Sequence, residues 1–116
     1  GAALGYWDLK LGDETVQLKP VKGDKRKLLA MVRQFQNKEG GIENGYEFLE
    51  KFEEFAYDAI LRDSPLLTDE DKRELQMLIE LESNNLLNEF LVFYRLMTRE
   101  MIKRKEDEMF GVKKNE

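Results

Sequence analysis

Between Trp7 and Pro20 the chain reads WDLKLGDETVQLKP, and nowhere after Pro20 does an apolar–polar alternation of this kind recur. Trp7, Leu9 and Leu11 alternate with Asp8 and Lys10, Gly12-Asp13 supplies turn chemistry, and Val16 and Leu18 alternate with Gln17 and Lys19. A period of two on both sides of a two-residue turn predicts one β-hairpin, ended by Pro20, with a single apolar face. A lone two-stranded hairpin is marginal in water. The apolar face therefore has two outlets: it lids helices of its own subunit, or it joins strands of another. The second is favoured here.

After Pro20 the period changes to that of a helix. Asp24 stands where an N-cap is expected, before a helix over residues 25–37 with an apolar stripe of Leu28, Leu29, Val32 and Phe35. Lys25, Arg26 and Lys27 occupy its first turn, where the helix dipole disfavours cations, which hints at an acidic neighbour. NKEGGIENG, residues 37–45, reads as a flexible loop. Phe48, Leu49, Phe52, Phe55, Ala56, Ala59 and Ile60 then repeat at threes and fours, predicting a second helix over 46–61. Thr68, followed by Asp69, Glu70 and Asp71, caps a third helix lined by Leu75, Leu78, Ile79 and Leu81.

Ser83-Asn84-Asn85 predicts a break, with a fourth helix over 86–106. Its opening, LLNEFLVFYRLM, is apolar most of the way round, so it needs cover on more than one side. One side can meet the second helix and the other a partner. After residue 106 the periodicity fades into a tail expected to fray, with Met109-Phe110 as an isolated apolar hook. The expected architecture is mainly α: a four-helix small domain with an N-terminal β-hairpin, residues 1–116 forming one domain (hairpin 7–20, helical body 24–106, tail 107–116).

Composition narrows the chemistry. There is no cysteine and no histidine, so thiolate catalysis and the commonest general base and metal ligand are missing from the inventory. No glycine-rich phosphate loop occurs in a strand-to-helix context. Glu50, Glu54 and Asp58 fall at i, i+4 and i+8, a spacing that could present oxygens to a hard cation. They lie opposite the phenylalanine stripe, however, where solvated charge is the ordinary reading. Basic clusters at Lys22, Lys25, Arg26, Lys27 and at Lys103, Arg104, Lys105 are too small to make a nucleic-acid binder of a chain with net charge −5. No enzyme activity, cofactor or metal is expected, and nucleic acid is not an expected partner.

The charge is segregated. Residues 1–38 carry 8 Lys/Arg against 4 Asp/Glu, residues 39–82 carry 4 against 14, and residues 83–116 carry 7 against 6. Such a pattern can steer subunits or partners toward one another. No apolar run approaches the roughly 20 residues a membrane span needs. The opening Gly1-Ala2-Ala3 reads as a processed or added end without a leader, so a cytoplasmic location is expected.

WDLKLGDETVQLKPVKGDKRKLLAMV (residues 7–32) and LTDEDKREL with LLNEFLVFYRLMTREMIK (within residues 67–103) together resemble the small tail-assembly chaperones of long-tailed bacteriophages. The likeness is one of pattern: hairpin, charged first helix, acid-capped helix, then a terminal apolar helix running into Phe93-Tyr94-Arg95-Leu96-Met97-Thr98-Arg99. The helix EFLEKFEEFAYDAIL has no counterpart in it. The resemblance implies a non-enzymatic factor that coats an aggregation-prone tape-measure protein in the host cytoplasm and often self-associates. The residues expected to bind protein are Trp7, Leu9 and Leu11 on the hairpin and Leu91, Phe93, Tyr94 and Met97 on the last helix. The competing reading is a structural virion component, such as a head–tail connector subunit whose hairpins join neighbours around a ring. Either way the expected partners are a protein client or other assembly subunits, with a homo-oligomer expected and no membrane.

Overall fold

A computed structural model of the chain describes residues 6–62, 64 and 66–109, with the side chains of residues 105, 106, 108 and 109 left out. Among the described residues two strands, β1 (Trp7–Leu11) and β2 (Glu14–Leu18), are followed by five helices: α1 (Asp24–Phe35), α2 (Gly45–Arg62), α3 (Asp69–Leu81), α4 (Ser83–Phe93) and α5 (Arg99–Met109). The protein is mainly helical with an N-terminal antiparallel hairpin.

In the hairpin Trp7 pairs with Leu18, Leu9 with Val16 and Leu11 with Glu14, so these six side chains share one face. Gly12 takes a φ of 61°, which fits the first central position of a type II′ turn and is open to glycine without strain. Asp8, Lys10, Thr15 and Gln17 are exposed on the other face. Leu9, Leu11 and Leu18 are fully buried in the chain's main apolar core, beside Leu28 of α1, Phe52, Ala56 and Ile60 of α2, Ile79 of α3 and Phe90 of α4. Each such leucine contributes about 1.5–3 kcal/mol by leaving water. The preference for pairing this face with a second subunit is thereby corrected: the hairpin lids its own helices. The helical body offers enough apolar surface to cover the three leucines, so no second chain is needed to do it.

Three other readings change. Asp24 is not the cap of α1; Gly23, at φ 102°, holds that position, and the Asp24 side chain turns inward. The loop after α1 is ordered by its own chemistry. The Asn37 side-chain oxygen accepts the backbone N–H groups of Glu39 and Gly41 at 3.0 and 2.9 Å, and an antiparallel bridge joins Gln36 to Ile42. The fourth predicted helix is two helices, α4 beginning at Ser83 and ending at Phe93, with α5 running on to Met109. Residues 110–116, including Phe110 and most of the expected tail, lie outside the described residues, as do residues 1–5.

Thr68 caps α3 as its sequence predicts. Its hydroxyl accepts the Asp71 N–H at 3.1 Å while the Asp71 carboxylate accepts the Thr68 N–H at 3.5 Å, a reciprocal capping box. Among the described residues no helix is long and apolar enough to cross a membrane.

Candidate protein-binding site

The seven residues expected to bind protein divide into two groups. Leu9, Leu11, Leu91 and Tyr94 are buried, none more than 8% exposed, and belong to the core. The period of two carries Leu9 and Leu11 inward together, and the three-four spacing of α4 does the same for Phe90, Leu91 and Tyr94. Trp7, Phe93 and Met97 are half-buried, packed against the core with one side open.

Trp7 and Phe93 lie flat on each other, ring centroids 4.2 Å apart and planes 5° apart. The indole also meets the buried Phe90 edge-on, at 4.9 Å and 69°. Phe90 and Phe93 are three residues apart on α4 and so share a face. One ring is sunk in the core, where it also contacts Phe52 and Phe55 edge-on, and the other rides at the rim. Aromatic pairs of this kind contribute roughly 0.5–1.5 kcal/mol beyond burial. The stack therefore fixes the open end of the hairpin to the C-terminal turn of α4.

Just past Phe93 the helix stops. The Arg95 N–H donates to the Val92 carbonyl at 3.0 Å and the Leu96 N–H to the Leu91 carbonyl at 2.8 Å, the two bonds of a Schellman cap. Arg95 holds the left-handed position, φ 62°, where glycine is usual. The Met97 N–H also reaches the Leu91 carbonyl, at 3.2 Å, so Leu96 and Met97 fold back and pack half-buried against the core. Leu96 thus joins the half-open apolar set, although sequence reasoning left it out. Its place in the LLNEFLVFYRLM run was the available signal.

Beneath the site, Asp24 gathers three segments. Its carboxylate accepts two N–H groups of Arg62 at 2.9 and 3.3 Å, the Tyr94 hydroxyl at 3.2 Å and the Val21 N–H at 3.2 Å. The start of α1, the end of α2 and the end of α4 are so pinned to one buried anion. Burial, with the negative charge of Asp24 beside it, pushes the Tyr94 phenol well above its ordinary range. The phenol stays a hydrogen-bond donor to Asp24 at physiological pH.

The acidic residues considered as cation ligands line an open groove of about 420 Å³ between α2 and α3, where Glu50, Glu54 and Asp58 are joined by Glu53 and Glu80. Among the described residues no group of three or more carboxylates converges closely enough to hold a metal ion. The chain was compared with protein-family models, with curated proteins and with solved structures, and it matches none of them.

Proposed function

We propose that this chain is a non-enzymatic protein-binding factor, a tail-assembly chaperone of the long-tailed bacteriophage kind, which shields an apolar tape-measure-type client in the host cytoplasm. The observation that carries the reading is the half-open Trp7–Phe93 stack. Two large aromatic rings are left partly in water while a rigid base of Leu9 and Phe90 holds them in place. Apolar surface held in that way is ready to be covered by a partner, with little ordering cost on binding. Met97 supplies an adaptable side chain of the sort used by surfaces that accept varied apolar segments. The connector alternative needs the hairpin's apolar leucines free to meet a neighbour, and Leu9, Leu11 and Leu18 are covered within the chain.

Light scattering tests the reading. A long apolar helical polypeptide that precipitates on dilution from denaturant serves as the client. Near-stoichiometric chain should suppress the scattering, and Phe93→Ser combined with Met97→Ser should lose most of that effect while keeping the wild-type circular dichroism. Equal suppression by the variant, or none by the wild type, would sink the proposal.

A further inference from the structure

Two features of this molecule are incomplete in complementary ways. The first is a groove of about 560 Å³ between the turn end of the hairpin and α3, at the opposite end of the hairpin from Trp7. Its base is apolar: Leu11, Ile60 and Leu75 are buried below, while Val16, Leu67 and Leu78 are half-exposed. Met77, on α3, is 56% exposed there. Every charged residue lining the groove is acidic: Asp13, Glu14, Asp71 and Glu74. Asp71 is engaged in the α3 cap, but Asp13, Glu14 and Glu74 have no ion-pair partner among the described residues. Apolar base and uncompensated anionic rim together select a cationic segment that carries bulky apolar side chains.

The second feature is α5. No described residue of this helix is buried. Thr98 caps it, its hydroxyl accepting the Met101 N–H at 3.1 Å, and Arg99 holds it to α4 through an exposed pair with Glu89 at 3.0 and 3.2 Å. An exposed pair of this type is screened by water and adds little to stability. An 11-residue helix is marginal without tertiary packing. Its first half, residues 99–105, has four cations against one carboxylate, and these surround Met101 and Ile102. Met101 is 43% exposed, and Lys103 and Arg104 are exposed without an ion-pair partner among the described residues.

We propose that the acid-rimmed groove between the hairpin turn and α3 receives the cationic first half of α5 from a second copy of this chain. The match is one of both sign and polarity. Met101 meets the apolar base, while Arg104, three residues on and so on the same face of α5, lies against Glu14 and Glu74. The contact is separate from the Trp7–Phe93 surface, so client binding and self-association are independent properties.

Sedimentation velocity on the full chain tests this, using two charge-reversed variants with circular dichroism as a check on folding. Glu14→Lys with Glu74→Lys spoils the groove and leaves α5 intact. Lys103→Glu with Arg104→Glu spoils α5 and leaves the groove intact. The wild type should self-associate with rising concentration, and each variant should weaken this by about tenfold or more. Raising salt from 0.05 to 0.5 M should weaken the wild-type association, on the order of the loss of screened rim charges. An equimolar mixture of the two variants should associate again, because one supplies a working helix and the other a working groove. A wild type that stays monomeric throughout, variants that associate as the wild type does, or a mixture that stays monomeric would each overturn the proposal.

Discussion

Asp24 shows what one side chain can decide. It is 2% exposed, and its carboxylate is the shared acceptor for Arg62, Tyr94 and the Val21 backbone. Asp24→Ala leaves a buried hydroxyl and an N–H group without this acceptor and removes a buried carboxylate from beside Arg62. We expect a loss of about 2–4 kcal/mol in urea unfolding, moderated because Arg62 is partly in water. Tyr94 carries a second consequence. Its phenol is raised above the ordinary value of 10.0 in the folded chain, so above about pH 10 the unfolded chain binds fewer protons than the folded one. Stability from this group is complete below that pH and falls as pH rises beyond it. In alkaline urea titrations Tyr94→Phe should be less stable than wild type at neutral pH and should show a shallower decline above pH 10. A parallel decline in both proteins would contradict the assignment. None of this was legible in the sequence, where Asp24 and Tyr94 stand 70 positions apart and Asp24 has the look of a cap.

Among the elements, those governed by local rules were readable. The hairpin followed from alternation and Gly12, and α3 from Thr68 with its three following acids, because turn and cap chemistry act within a few residues. What the sequence hid was decided by tertiary contact. The α4–α5 boundary has neither glycine nor proline to mark it, and Phe93-Tyr94-Arg95-Leu96 continues a helical pattern. The chain nevertheless turns there, with Arg95 in a left-handed conformation that costs a side chain about 1–2 kcal/mol. Burial of Tyr94 on Asp24 and the return of Leu96 to the core offset that cost. Arg95→Gly should therefore stabilise the protein, by up to about 1 kcal/mol once the added freedom of the unfolded chain is set against the relief of strain. A chemical-denaturation midpoint at or below the wild type's would show that Arg95 is not strained. The candidate site was half legible for the same reason. Periodicity identified the apolar faces of the hairpin and α4, but which members stay at the rim depends on where the two elements cross.

The whole molecule measures 52 × 33 × 24 Å with a radius of gyration of 15.3 Å, above the roughly 13 Å of a compact chain of this length. That extra length fits a body with one helix, α5, laid against its outside. The described surface carries three features: an aromatic corner where the hairpin meets the end of α4, an acid-rimmed apolar groove at the hairpin turn, and a cationic helix. The proposed function has the aromatic corner take an apolar protein segment, and the chain's single tryptophan reports on that corner without any label. Titrating an apolar amphipathic helical peptide into the full chain, with Trp7 emission as readout, is the direct measurement. A saturable blue shift is expected as the indole loses its remaining water, abolished by Phe93→Ser. An emission spectrum that stays unchanged while the peptide demonstrably binds would place the binding surface elsewhere and contradict it.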